Sequence, residues 1–239
     1  MLKITDANNF RRTLAGLCLI AAPLVILIQE WIAPEIGGEG EARDVLATIA
    51  ENPGRYQAAA FLGLLAAILL IPALLGLVRL LSRGKVVLGH VGGALALIGA
   101  VGFACNNVFN FLYLQMVEGG ADLGEMIALR ERVKGSVGLL TIELMFAGGL
   151  LLGLVLLAIA LWRGRVAPRW ASVLIVVFVV ADFFLSGNGK VFDLIVHALL
   201  VVGLGGFGWS ILRMSDADWE RGYTPSPTEV GVRTQPRVQ

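Results

Sequence analysis

Residues 57–80, QAAAFLGLLAAILLIPALLGLVRL, run for 24 positions with one charged side chain, Arg79, next to the end. At about 1.5 Å of rise per residue such a helix reaches about 36 Å, more than the roughly 30 Å of hydrocarbon in a bilayer. The same kind of block recurs on both sides of it. Apolar stretches also occupy 13–33, 86–115, 138–162, 170–186 and 190–212, so six spans are expected. Composition agrees: 57% of residues are hydrophobic, 15% are charged and the mean hydropathy is +0.80. A soluble domain carries only roughly 45–50% apolar residues, and a water-soluble core cannot absorb that excess.

The blocks are too long and too continuous for the alternating strands of a barrel. In hydrocarbon each backbone N–H and C=O must then be bonded within its own segment, which makes every block a helix. The expected fold is all-α, a polytopic bundle of six transmembrane helices over residues 1–213. Arg11 and Arg12 precede a first span of full membrane length with no small-residue cleavage site behind it, so that block reads as the first helix and not as a cleavable signal.

An even number of spans puts both termini on one side, and Lys and Arg decide which. Of the 19 basic residues, 13 fall on the side of the termini and 6 on the other. The richer side is expected to be the cytoplasm. Ten acids belong to the outer connections, five to the inner ones, and three, Glu143, Asp182 and Asp193, lie within spans. This inside-positive polarity suits an anionic inner leaflet and gives no reason to expect nucleic acid. Cys18 and Cys105 sit at opposite ends of two helices that run the same way, so they are expected to be free packing residues.

The inner connections, RLLSRGK and WRGRVAPRW, are short and force antiparallel neighbours. The outer ones each contain an amphipathic stretch, at 40–56 and 121–135; Val45, Leu46 and Ile49 share a face in the first, and Leu123, Met126, Ile127 and Leu129 do so approximately in the second. Each is a candidate lid lying on the outer surface. LLGLV recurs at 74–78 and 151–155, each followed by a basic RG motif, an echo that suggests duplicated hairpins. Gly89 with Gly93, Gly149 with Gly153, and Gly203, Gly205, Gly206 and Gly208 stand at spacings that let helices approach closely. Residues 214–239, polar and interrupted by proline, read as a disordered cytoplasmic tail.

Depth follows from the topology. At about 1.5 Å per residue, Asp193 and His197 lie about 5 and 10 Å below the outer surface, Asp182 about 6 Å, Glu143 about 10 Å, and Asn110, Asn107 and Asn106 about 7 to 14 Å. These seven residues on four helices share one layer. Intramembrane ionisable groups usually face the bundle interior and find partners, because exposure to lipid near mid-membrane costs about 2.5–3.5 kcal/mol even on lenient scales. Asp193 and His197, four apart, face the same way and are expected to hydrogen-bond each other. One shared polar pocket in the outer third is the cheapest arrangement, while interhelical hydrogen-bonding without function is the competing account.

A carboxylate beside an imidazole suits proton relay or general-base work. No HExxH or CxxC spacing suggests a metal, and His90, near the cytoplasmic end of its helix, is at the wrong depth to clamp a haem with His197, so no cofactor is expected. Phosphate-binding loops, a nucleophile elbow, a deep lysine, a channel filter and an Arg-rich voltage sensor are all missing.

ENPGRYQAAAFLGLLAAILLIPALLGLVRLL leading into the second block and RGRVAPRWASVLIVV leading into the fifth resemble small bacterial six-helix membrane proteins grouped as domain of unknown function 4386. The resemblance covers most of the spans and implies a multi-pass protein of the bacterial inner (plasma) membrane; it carries over no catalytic residue. Three roles fit: a carrier or sensor of a small solute, proton or lipid using the outer pocket; an accessory subunit of a membrane complex; or a membrane-embedded enzyme with an Asp193/His197 site. The partners expected are the lipid bilayer, a small-molecule or lipid ligand, and a partner membrane subunit.

Overall fold

The computed structural model describes residues 7–35, 41–81, 87–118, 122–164 and 168–221. It is helical throughout, without a strand among the described residues: α1 (Ala7–Ile32), α2 (Ala42–Glu51), α3 (Pro53–Leu81), α4 (Val87–Val117), α5 (Leu123–Lys134), α6 (Val137–Glu143), a π-helical segment (Leu144–Leu151), α7 (Leu152–Gly164), α8 (Arg169–Leu185), α9 (Lys190–Arg213) and α10 (Asp216–Arg221). The run from α6 through the π segment to α7 is one continuous rod.

Five rods are long and apolar enough to cross a membrane: α1, α3, α4, the rod Val137–Gly164 and α9. Residues 170–186, expected as a sixth span, form the 17-residue helix α8, which is not among those five. Each rod packs on its neighbours in the chain, α1 on α3, α3 on α4, α4 on the π segment and α7, α7 on α8 and α8 on α9, while α9 returns to α1 and closes the ring. The contact of α7 with α8 is the sparsest of the six.

Local chemistry explains the boundaries. Pro53 opens α3, where its missing N–H costs nothing. The Asp122 carboxylate accepts the Glu125 N–H at 3.0 Å to cap α5, and the Ser136 hydroxyl accepts the Leu139 N–H at 3.2 Å to cap α6. Pro23 lies inside α1 and Pro72 inside α3, each removing one helical hydrogen bond.

The interior is aliphatic, with Leu19, Leu70, Leu74, Leu157, Leu161, Ile175, Leu204 and Phe207 closed off from the surface. The outside is apolar too. Ile68, in the middle of α3, is 63% exposed, and Leu24, Val101, Val108 and Leu152 are exposed beside it along other rods. Such a surface is stable only in lipid. The chain is a multi-pass membrane protein built as a helical bundle.

Glycines set the closest approaches. A Cβ on Gly99 would overlap the backbone nitrogen of Leu150, one on Gly102 would come 2.5 Å from Phe146 N, and one on Gly149 would come 3.0 Å from Gly99 N, so α4 and the π segment touch backbone to backbone. Gly208 meets the Gly16 carbonyl in the same way, where α9 crosses α1. The two copies of LLGLV use their glycines alike, Gly76 against Ala15 of α1 and Gly153 against Ala96 of α4. Cys18 and Cys105 are both free thiols, and His90 is exposed in the first turn of α4.

Both amphipathic outer stretches are helices, but they dock differently. α2 buries Val45, Leu46 and Ile49, and packs Val45 and Ile49 against Tyr56 near the start of α3 and Leu114 near the end of α4. α5 buries no side chain fully; Met126, Ile127 and Leu129 are half-buried, and the Arg130 guanidinium stacks 5.5 Å from the Tyr113 ring centroid.

The segment after α9 departs from the expected disordered tail over its first residues. There α10 folds back and puts Trp219 at 2% exposure, beneath the Arg79 guanidinium at 5.6 Å from the ring centroid. α1 supplies further ties: Asn8 Nδ2 donates to Glu220 Oε1 at 2.5 Å, Asn9 Nδ2 donates to Asp216 Oδ1 at 3.2 Å, and Arg12 adds to them. Its Nε lies 3.0 Å from Asp216 Oδ1, at an angle that makes an ion pair and not a hydrogen bond, and its Nη1 donates to the carbonyls of Leu212, at 3.1 Å, and of Met214. Those carbonyls belong to the unbonded end of α9, so Arg12 acts as its cap. A polar segment of this kind lacks apolar bulk, and a single tryptophan with a ready cleft holds it. The expected tail beyond, 222–239, lies outside the described residues.

Candidate functional site

The polar residues expected to share one layer form three groups, separated by the order of the rods in the ring. The first lies where α1, α8 and α9 meet. Gly187 and Gly189 adopt positive φ, 83° and 124°, which lets the chain turn from α8 to α9 in a few residues. That turn holds its own acids. The Ser186 hydroxyl donates to Asp182 Oδ1 at 2.8 Å, the Gly187 N–H donates to Asp193 Oδ1 at 3.0 Å, and the Lys190 N–H donates to Glu35 Oε1 at 3.2 Å. Lys190 also donates through Nζ to the Ala33 carbonyl at 2.7 Å, lashing the start of α9 to the end of α1.

His197 is half-buried one turn below. Its Nδ1 lies 2.8 Å from the main-chain oxygen of Asp193, and its ring packs edge-on against Phe178 at 6.0 Å. A carbonyl oxygen only accepts, so Nδ1 carries a proton, and in the neutral ring Nε2 is left as the acceptor. The expected side-chain bond between Asp193 and His197 is therefore not made. Asp193 sits in the first turn of α9, where its carboxylate reaches forward to the loop N–H, while the ring bonds back along its own helix.

Glu30 completes this group, and its place on sequence is among the acids of the outer connection. α1 continues to Ile32, which keeps Glu30 on the helix, half-buried and within electrostatic range of His197, Asp193, Asp182 and Lys190. The signal was the length of the first apolar block, which already includes residue 30. Three carboxylates, one imidazole and one ammonium on three rods thus lie within electrostatic range of this position, with no hydrogen bond between their side chains among the described residues. An apolar groove of about 470 Å³ also runs between α1 and α9, lined by Leu27, Ile28, Trp31, Leu194, Ile195 and others, with none of these ionisable residues in its lining.

The second group is on the other side of α1. Gln29 Nε2 donates to Asn107 Oδ1 at 3.3 Å, and Asn107 Nδ2 donates to the Phe103 carbonyl at 2.9 Å. Asn107 is buried and presses on Gly63, where any side chain would strike it. One turn outward, the Tyr56 hydroxyl donates to Asn110 Oδ1 at 2.9 Å. Asn106 is half-buried on the same helix. This set ties α1, α3 and α4 together and leaves little room for a ligand.

Glu143 is apart from both. It is exposed at the junction of α6 and the π segment, within electrostatic reach of Tyr113, which the Arg130 guanidinium covers. The seven residues expected in one pocket therefore divide: Asp182, Asp193 and His197 together, Asn107 and Asn110 in a separate network with Asn106 nearby on the same helix, and Glu143 near Tyr113. Among the described residues no three His, Cys, Asp or Glu side chains come close enough to hold a metal ion.

The α1–α8–α9 group is the one with chemical reach. Its acids outnumber its fixed cation, so it favours a positive group or a proton, and the groove between α1 and α9 favours an apolar one. A family model described as domain of unknown function (DUF4386) matches residues 14–211. No curated protein and no solved structure matches the chain.

Proposed function

This chain belongs to the DUF4386 family, and from its outer polar group we propose that it is a carrier or sensor that binds an amphipathic cation in the outer leaflet of the bacterial inner membrane. The apolar part of the ligand lies along Leu27, Trp31 and Ile195, and its positive head meets Glu30, Asp182 and Asp193. The observation that carries this reading is Glu30: a half-buried carboxylate on a third rod, within electrostatic range of the imidazole and acids by the α8–α9 turn and one residue from Trp31, which lines an apolar groove. Hydrogen-bond glue between helices needs no third acid, since Asn or Ser would be cheaper to bury.

The probe is decylamine, cationic at neutral pH, against decanol, with the protein in nanodiscs. Decylamine at saturation is expected to raise the melting temperature by about 4 °C or more, and decanol by less than about 1 °C. Glu30→Gln combined with Asp182→Asn should remove that difference and leave the unliganded melting temperature within about 2 °C of the parent. Equal shifts from both probes, or collapse of folded yield in the isosteric variant, would make the cluster a structural network and end the proposal.

The reading includes six spans with both termini in the cytoplasm. At 17 residues α8 reaches about 25 Å, at the short end of what crosses a bilayer, and its polar ends, Arg169 and Ser186, support that role. The 13 to 6 division of basic residues supports the orientation. Alkaline phosphatase fused after Asn188 should be active and a fluorescent protein fused after Arg213 should glow inside the cell; the reverse pattern overturns the topology.

A further inference from the structure

The sparsest seam of the ring, between α7 and α8, opens into a groove of about 340 Å³ at the end of the rods opposite the acid cluster. Ala158, Ile159, Val173, Val176 and Val177 line its length, and Trp162 and Arg163 stand at its mouth. Arg169, the first residue of α8, places its guanidinium 5.7 Å over the Trp162 ring. Within the groove lies Ser172, 2% exposed, whose Oγ has no hydrogen-bond partner among the described residues. A buried hydroxyl without a partner destabilises a fold, and a serine in a helix can avoid that cost by bonding back to its own chain. Ser172 does not, and it lies in the wall of an otherwise apolar channel.

We propose that this groove is a binding site for one anionic phospholipid of the leaflet that holds the α7–α8 turn, the cytoplasmic leaflet in the topology above. An acyl chain follows the valines, the phosphate meets Arg163 and Arg169, and a glycerol ester carbonyl accepts the Ser172 hydroxyl. The register is right for this. Ser172 is three residues past Arg169, about 4.5 Å deeper along α8, and in a phospholipid the ester groups lie just beneath the phosphate. Two arginines at the membrane surface and no acid among the lining residues give the mouth a positive field, which is how pockets between helices on the cytoplasmic side recognise anionic headgroups. Trp162 lines it near the end of α7, at the level where indole rings prefer the interface. Bulk lipid touching the rest of the bundle meets neither a buried orphan hydroxyl nor paired arginines.

Native mass spectrometry of the protein reconstituted in equal palmitoyl-oleoyl phosphatidylglycerol and phosphatidylcholine separates these cases. The purified protein is expected to retain one phosphatidylglycerol over phosphatidylcholine by roughly tenfold. Arg163→Gln with Arg169→Gln should bring the ratio near unity, and Ser172→Ala should lower retention of either lipid. Val176→Trp, which fills the channel, should abolish retention; Ile159→Trp fills it from the opposite wall if the first variant does not fold. Equal retention of the two lipids by the parent protein, or undiminished phosphatidylglycerol in a channel-filling variant that folds, would refute the site.

Discussion

Gly99→Ala is expected to remove most of the folded protein, and Gly99→Leu all of it, as read by size-exclusion profiles of a fluorescent fusion in detergent. The neighbour that a Cβ would strike is not a side chain that can turn away but the backbone nitrogen and Cα of Leu150. Overpacking costs roughly 1–3 kcal/mol when side chains can adjust. Here the only adjustment is for α4 and the π segment to part, which also strips the contacts at Gly102 and Gly149. In lipid, packing of this kind is the main attraction between helices, since apolar surface gains nothing by leaving the tails. Gly148→Ala is the control: it sits beside Gly149 in the same segment with nothing within 4 Å of its would-be Cβ. It should fold as well as the parent or slightly better, because alanine favours a helix by about 1 kcal/mol over glycine. If both substitutions behave alike, the close contact does not exist.

Trp219→Ala should release α10 from the bundle. Truncating a buried tryptophan costs about 3–5 kcal/mol. The Arg12–Asp216 pair, whose side chains are 12% and 42% exposed, is worth no more than about 1 kcal/mol by comparison. The tryptophan therefore decides, and Asp216→Asn should change little. Because α10 is short and terminal, the loss appears as local opening and not as collapse of the rods. Amide exchange over 216–221 is expected to accelerate roughly a hundredfold or more while the middle of α9 stays protected. Protection of 216–221 equal to the parent's would show that the segment is held by something other than its indole.

Both effects bear on what the amino-acid order discloses. The end of the helix each occupies was legible: hydrophobic block length alone puts Asp182 and the asparagines toward the C-terminal ends of α8 and α4, and Asp193 and His197 toward the N-terminal end of α9. Azimuth was not. Which polar residues meet depends on the ring order of the rods, and α1 lies between the Asn107 network and the His197 group. The rule that residues three or four apart share a face also fails across 144–151, where the helix is wound with i to i+5 bonds, so Glu143 is out of phase with any α-helical reading of its rod. Glu30 escaped because an acid near the end of a span looks like loop until the last helical residue, Ile32, is known. The docked Trp219 left even less trace, since one aromatic in a polar run differs little from a solvated one until its cleft is seen.

One consequence of the first helix remains. Gln29 and Glu30 are successive residues, so their side chains leave α1 about 100° apart, a spacing that follows from 3.6 residues per turn. One bonds Asn107 on α4 and the other lies within electrostatic range of His197 on α9. Both lie outward of Pro23, where the helix lacks the bond to the carbonyl of residue 19 and bends more readily than elsewhere. The stretch above that hinge is a common partition wall: any swivel that alters the acid cluster on one side displaces the amide ladder on the other.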